Sequence, residues 1–142
     1  MASLRGHAVP PGDYMFPCAG SMKEACTPEM QAKFQAGPVG LLTLFPPGPM
    51  TMGRSLFQWF VYTLVVSVFV AYVAQLAFAP GADAMAVFRM TGAVSTAIYA
   101  LGSIPNSIWK GTKWSTSWKF VFDGILYGLA AGGAFAWLWP DA

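Results

Sequence analysis

Three long apolar runs constrain this chain more than any other feature of its sequence. Residues 56–78 contain no charged side chain. Residues 85–104 contain only Arg89. Residues 120–139 contain only Asp123. Because the hydrocarbon core of a bilayer is roughly 30 Å thick, a helix of about 20 mostly apolar residues crosses it, and each run predicts a transmembrane helix.

The composition excludes the main alternatives to a membrane protein. The 142 residues are 56% hydrophobic and 10% charged, with a mean hydropathy of +0.51. A soluble domain is about 25% charged, and a small one could not bury so many apolar side chains. A disordered chain has low hydrophobicity, and a formal net charge of +2 gives no reason to expect nucleic acid as a partner. The predicted fold class is an all-α membrane protein with a three-helix bundle over residues 56–139.

Proline and glycine separate the three runs. Pro80-Gly81 predicts a short turn after the first run, so the first two helices should form an antiparallel hairpin. Pro105 predicts the end of the second helix or a kink in it, because proline has no N–H and clashes with the preceding turn. Pro140 closes the third run.

The distribution of cations predicts the orientation of the bundle, because cytoplasmic flanks of membrane helices carry an excess of lysine and arginine. One side has Arg54 before the first run and the lysines of the predicted connection between the second and third runs, which are Lys110, Lys113 and Lys119. The other side has Asp83, Asp141 and, as its one cation, Arg89. We therefore expect a cytoplasmic N-terminus and a C-terminus outside, with the lipid bilayer as partner.

Tryptophan marks the same borders, since its amphipathic ring favours the interface between membrane and water. At the expected inner border lie Trp59, Trp109, Trp114 and Trp118, and at the outer border lie Trp137 and Trp139. Such belts locate the borders without distinguishing inside from outside.

Residues 1–55 differ in character from the bundle, since they hold eight of the eleven prolines and both cysteines. No positively charged stretch leads into an apolar run, so we expect no signal peptide. Thr27-Pro28-Glu29 is typical of a helix start and Gly37-Pro38 of a helix end, which predicts a short helix over residues 28–36. We expect this helix to lie at the cytoplasmic membrane face, and residues 39–53 to form an interfacial segment leading to the first span.

Residues 1–55 contain three side chains that could bind a metal or form a disulfide, and each has a simpler interpretation. His7 has no ligand-spaced partner and is expected to be a solvated tail residue. The spacing of Cys18 and Cys26 is not that of a redox or zinc motif, and in a cytoplasmic segment both should be reduced thiols. A disulfide between them is plausible only if the orientation is inverted. No catalytic set or phosphate-binding loop is present in the sequence, so we expect a non-enzymatic chain without metal or cofactor.

The two intramembrane charges, Arg89 and Asp123, lie about one turn (about 6 Å) inside opposite ends of their runs. They should therefore not pair with each other within one subunit. Arg89 could extend outward toward Asp141 or the C-terminal carboxylate. Asp123 has two interpretations: an anchor in the first turn of its helix, neutralised by Lys119, or a proton or cation site that faces a cavity.

The third run carries a stripe of small residues, Gly124, Gly128 and Gly132, at a spacing of about one helical turn. The second run has a matching stripe, Gly92, Thr96 and Ala100. Small residues let two helix backbones approach closely, which is what holds helices together in lipid. The stripe of the third run should pack either on the second span of the same chain or on another chain.

Several short motifs give the chain a resemblance to known sequences. They are Met15-Phe16-Pro17, Ser21-Met22-Lys23-Glu24, Gly37-Pro38-Val39, Met52-Gly53, Ser107-Ile108-Trp109-Lys110-Gly111, Asp123-Gly124 with Tyr127, and Trp137-Leu138-Trp139-Pro140. Through them the chain resembles a group of small bacterial integral membrane proteins without a known activity. The resemblance implies a bacterial source and a membrane location.

These observations lead to one expected function and two alternatives. The expected function is that of a non-catalytic structural or interaction protein of a bacterial inner membrane, a subunit or homo-oligomer that packs through the glycine stripe. The first alternative is a transporter or channel for a small solute or ion, formed by oligomerisation because three helices barely enclose a path. The second alternative is an accessory subunit of a larger respiratory or photosynthetic membrane complex.

Overall fold

The structure, a computed structural model, describes residues 6–49 and 51–141. The chain divides into two compact units, Met1–Met50 and Thr51–Ala142. The division falls a few residues before the predicted boundary at residue 55, because the first long helix begins before its apolar run does.

The first unit contains a small antiparallel sheet, so the all-α prediction is wrong for this part of the chain. Strand β1, Gly12–Phe16, pairs with strand β2, Gly40–Leu44. The register places Gly12 opposite Leu44 and Phe16 opposite Gly40, and Thr43 Oγ1 donates a hydrogen bond of 2.7 Å to Asp13 Oδ1. Strand β2 lies within residues 39–53, for which the sequence predicts an interfacial segment, because β2 is a short apolar run whose pairing partner is distant in the sequence.

Two short helices, α1 and α2, lie between the strands. Helix α1 is Met22–Ala25, and its N-cap Ser21 accepts a hydrogen bond from the backbone N–H of Glu24 at 3.2 Å. Helix α2 is Pro28–Ala36, and its N-cap Thr27 accepts one from the N–H of Met30 at 3.4 Å. Met30 is the buried residue of α2. The location of α2 at a membrane face stays a prediction.

An exposed ion pair spans one turn of α2. Lys33 Nζ donates a hydrogen bond of 2.8 Å to Glu29 Oε1. This bond and the attraction between the charges lower the pKa of Glu29 and raise the pKa of Lys33. Because both side chains are exposed to solvent, the pair contributes little to stability.

The second unit contains the long apolar helices. Helix α3 is Met52–Ala77, α4 is Ala84–Leu101, α5 is Ile104–Lys110 and α6 is Trp114–Trp137. Among the described residues, three helical stretches are long and apolar enough to cross a membrane: Met52–Ala77, Ala84–Lys110 and Trp114–Trp137. This confirms the prediction of three such helices.

The bounds of the helices differ from the apolar runs at 56–78, 85–104 and 120–139. Helices α3 and α6 begin earlier, at Met52 and Trp114, and the second span continues through α5 to Lys110. The connection between the last two spans is therefore residues 111–113, and Lys119 lies in α6 instead of in that connection. The reason is that hydropathy reports contact with lipid, whereas a helix ends where its backbone hydrogen bonds end.

Helices α4 and α6 pack backbone against backbone along the two small-residue stripes. A Cβ atom placed on Gly124 would lie 2.5 Å from the backbone of Ala100. One placed on Gly128 would lie 2.8 Å from Thr96 Cα, and one on Gly132 would lie 2.9 Å from Gly92 Cα. All three glycines are buried. The stripe of α6 is therefore covered by α4 of the same chain.

The turn between α3 and α4 is fastened to the end of α6. The backbone N–H of Gly81 donates to the carbonyl of Pro140 at 2.8 Å, and Trp139 Nε1 donates to the carbonyl of Ala79 at 3.1 Å. The rings of Phe78 and Trp139 meet edge to face, with centroids 6.2 Å apart. These contacts close the end of the bundle that lies opposite to α5.

The contact between α4 and α6 predicts that the effect of a glycine-to-alanine substitution on stability depends strongly on its position in α6. We expect Gly128→Ala to destabilise the second unit by about 1–3 kcal/mol, because the new methyl group collides with the backbone of Thr96 and cannot be accommodated without moving a helix. The free energy of unfolding of the purified chain in mixed micelles, followed by circular dichroism, measures the effect.

Gly133→Ala is the matched control for this substitution, since no atom lies within 4 Å of the added carbon. Alanine favours a helix over glycine by roughly 0.5–1 kcal/mol, so this variant should be as stable as the parent or more stable. Equal destabilisation by the two substitutions would contradict the packing of α4 on α6.

Candidate functional site

Residues of the three spans line a partly open cleft of about 520 Å³. This volume lies within the range of roughly 300–1,000 Å³ that is typical of small-molecule sites. Helix α3 contributes Trp59 and Tyr62 to its lining, α4 contributes Tyr99, and α6 contributes Asp123 and Tyr127. Ser103, at the junction between α4 and α5, and Asn106, in α5, also line it.

Four aromatic rings form a cluster at the cleft. Trp59 lies with its ring centroid 5.4 Å from Tyr62, 5.7 Å from Tyr127 and 6.4 Å from Tyr99. Tyr99 lies 5.9 Å from Tyr62 and 5.6 Å from Tyr127. The ring planes are inclined to each other by 39° to 79°, so the rings do not stack face to face. The cluster joins α3 to the α4–α6 pair.

Helix geometry and the glycine contact together bring these residues to one level. Trp59 and Tyr62 are three residues apart, and Asp123 and Tyr127 are four apart, so each pair shares one face of its helix. Tyr99 is brought to Asp123 by the stripes, since a Cβ on Gly124 would lie 2.7 Å from the carbonyl carbon of Tyr99. The packing of small residues therefore fixes the register of the site.

Asp123 is the one charged residue among those that line this cleft. Its side chain is exposed, and within residues 6–49 and 51–141 it has no ion pair; the pair with Lys119 that the sequence suggested does not form. Asp123 is also the tenth residue of α6, about 14 Å from its first residue at about 1.5 Å per residue. The expected position in the first turn is therefore wrong, and the helix dipole, which acts within that turn, does not stabilise this carboxylate.

Arg89 lies away from this site, in the second turn of α4. Its side chain is exposed, and in the described part of the chain it forms no ion pair with Asp141. The other expected partner of Arg89 is the C-terminal carboxylate. It belongs to Ala142, which lies outside the described residues. Arg89 and Asp123 do not meet.

The second span breaks beside the cleft. Helix α4 ends at Leu101 and α5 begins at Ile104, because Pro105 has no N–H to donate to the carbonyl of Leu101. Ser103 Oγ donates to the carbonyl of Ala100 at 2.9 Å. Backbone groups freed within the hydrocarbon region are tolerated where protein or a water-filled cavity satisfies them. Ser103 and Asn106, at this break, line the cleft.

A buried pair of serines holds α5 against α6. The hydroxyl oxygens of Ser107 and Ser117 lie 2.6 Å apart, and Ser117 Oγ donates to the carbonyl of Ser103 at 3.4 Å. Both serine side chains are buried, at 8% and 2% exposure. Ser95, also buried, has a hydroxyl without a hydrogen-bond partner among the described residues. The serine pair therefore joins α5 to α6 just after the second span breaks.

The structure also locates the remaining candidate residues. In the first unit, Cys18 and Cys26 are exposed and unpaired, and His7 is exposed. Across the described ranges, no three side chains of histidine, cysteine, aspartate or glutamate come together in a way that could hold a metal ion.

Sequence reasoning found Asp123 and the two stripes but missed most of the cleft. Trp59 was interpreted only as part of an interfacial belt, and Tyr62, Tyr99 and Asn106 were not singled out. The spacing of Trp59 and Tyr62, like that of Asp123 and Tyr127, was a usable signal, since both pairs place polar aromatic or acidic groups on one helix face inside apolar runs.

Comparison with known proteins found no relative of this chain. The chain matches no protein-family model, no curated protein and no solved structure. What the cleft can bind therefore rests on its own geometry.

A hydrated cleft predicts that a thiol at position 123 reacts with a water-soluble reagent. In a chain whose Cys18 and Cys26 are replaced by serine, Asp123→Cys should react with a membrane-impermeant methanethiosulfonate. Phe122→Cys should not react, because Phe122 does not line the cleft and its side chain, 61% exposed, is expected to face lipid. Labelling in inside-out membrane vesicles measures both, and equal rates at the two positions would contradict water access through the cleft.

Proposed function

We propose that this chain is a non-catalytic, multi-pass protein of a bacterial inner membrane that moves a small cation across the bilayer. The observation that supports this most is the exposed carboxylate of Asp123, which lies in a cleft between three apolar helices and has no ion pair within the described residues. Ionisable residues inside membrane helices usually mark ion or substrate paths, and Asp123 lies about one turn inside its apolar run. A carboxylate without a partner attracts a cation.

The proposed orientation places the mouth of the cleft at the cytoplasmic face. The cations Arg54, Lys110, Lys113 and Lys119 lie toward the end of the bundle that contains α5. An excess of such cations is typical of the cytoplasmic side. The N-terminus is then inside and the C-terminus outside, and Asp123 is reached from the cytoplasm past the break at Ser103.

Translocation requires more than one copy of the chain in this proposal, since three helices barely enclose a path. The stripe of Gly124, Gly128 and Gly132 is occupied by α4 of the same chain, so association has to use another surface. Helix α3 offers such a surface, because its buried residues are only Val66, Val70 and Ala74.

A structural or accessory subunit is the second candidate function, and the same surface of α3 favours it. Large apolar side chains are exposed along most of this helix, among them Phe57, Leu64, Val68, Phe69 and Leu76. They suit contact with lipid or with the helices of a partner in a larger complex. In that case Asp123 would have no role in transport.

Proteoliposomes test the proposal directly. The purified chain should carry protons, sodium ions or tetraethylammonium, measured in parallel, at least several-fold faster than empty liposomes. Asp123→Asn should reduce this flux to the level of empty liposomes, because the amide has no charge to attract the ion. Asp141→Asn, at the exposed C-terminal end, is the matched control and should leave the flux unchanged.

Two outcomes would contradict the proposal. One is a flux of all three ions equal to that of empty liposomes when the chain is folded. The other is a flux that Asp123→Asn leaves unchanged. Either result would favour the subunit role, for which a cofactor-bearing partner should co-purify in mild detergent.

A further inference from the structure

We propose that the cleft binds an organic ammonium group, held against the faces of Trp59, Tyr62, Tyr99 and Tyr127 and neutralised by the carboxylate of Asp123. This inference names the ligand class of the cleft and so rests on the proposed function for its biological meaning. Its physical argument is independent of transport, because binding and translocation are separate properties.

The charge of the cleft indicates a cation. Asp123 is the one charged residue in its lining, and the described residues provide no cation to pair with it. A neutral ligand would leave this carboxylate uncompensated. An anion would be repelled by it.

The aromatic rings favour an organic cation over a metal ion. Ca²⁺ and Mg²⁺ take six or more oxygen ligands, and Zn²⁺ takes four ligands from cysteine, histidine or carboxylate groups; the described residues contain no cluster of such side chains. Ring faces attract cations through their quadrupole instead, and groups of such rings are the known recognition device for quaternary ammonium ligands. Trp59 is the strongest ring for this interaction, and the three tyrosines have the same property.

The arrangement of the rings suits a compact group with several methyl substituents. The four rings come from three helices, lie with centroids 5.4–6.4 Å apart and are inclined to one another, so their faces point in different directions. A tetrahedral ammonium can touch more than one such face at once. The volume of about 520 Å³ is ample for such a head group.

Two sources provide this chemistry: a soluble ammonium compound and the choline head group of a phospholipid. The cleft lies between membrane helices, so both can reach it. The shared feature is the ammonium group, and the two sources are separated by competition.

Calorimetric titration of the full chain in maltoside micelles tests the inference, with choline as probe and 3,3-dimethylbutan-1-ol as its uncharged analogue of the same shape. Choline should bind saturably, and the analogue at least tenfold more weakly. Asp123→Asn should weaken choline binding at least tenfold, whereas Asp141→Asn should leave it unchanged.

A second pair of variants isolates the ring faces. Tyr127→Phe keeps the aromatic face and should bind choline within about threefold of the parent, while Tyr127→Leu should bind it at least tenfold more weakly. Circular dichroism of each variant shows that the helices are intact, so a loss of binding is not a loss of fold. Added phosphatidylcholine should weaken choline binding if the head group is the ligand. Unchanged binding would assign the site to a soluble compound, and phosphatidylglycerol controls for added lipid.

Three results would overturn the inference: no choline binding by the folded chain, equal binding of choline and its uncharged analogue, or unchanged binding by Asp123→Asn. These are distinct from failure of the proposed function. Choline binding without flux of any ion would leave the ligand class intact and reject translocation. Flux that depends on Asp123 without a preference for choline over its uncharged analogue would support translocation and reject the ligand class.

Discussion

The contact between the backbones of α4 and α6 is the interaction on which the rest of the second unit depends. Lipid supplies no hydrophobic force between helices, so close van der Waals contact has to hold them together. Gly128 against Thr96 is the centre of this contact, and any side chain at position 128 would separate the helices. The small residues of α4 and α6 therefore contact each other within one chain. The surface that remains for lipid or a partner consists of large apolar side chains.

The same contact determines where the chemical groups lie. Because Gly124 meets Ala100, the neighbouring residues Asp123 and Tyr99 come to the same level of the bundle. Helix α3 then adds Trp59 and Tyr62, and the aromatic cluster is the main connection between α3 and the other two spans at this level. A ligand in the cleft would touch all three helices, which links its occupancy to the position of α3.

The sequence predicted those parts of the structure that depend on local patterns. Three apolar runs predicted three helices, and helical spacing predicted which small residues line one face. Helix ends were predicted less well. Residues from Trp114 to Lys119 are too polar to belong to the third apolar run, but they form the first turns of α6. The β1–β2 sheet was missed because its pairing joins distant residues, as in Asp13 and Thr43. The cleft was missed for the same reason, since its rings come from three helices.

Magnetisation transfer between the α-carbons of Gly92 and Gly132 tests the central claim most directly. In the chain labelled with carbon-13 at the glycine α-carbons and reconstituted in lipid, solid-state NMR should show a cross peak between these two carbons. A Cβ on Gly132 would lie 2.9 Å from the α-carbon of Gly92, so the two are close neighbours. The intensity per labelled chain should persist when labelled protein is diluted with unlabelled protein. A cross peak that disappears on dilution would show that the stripes join different chains, and its complete absence would show that the stripes do not meet.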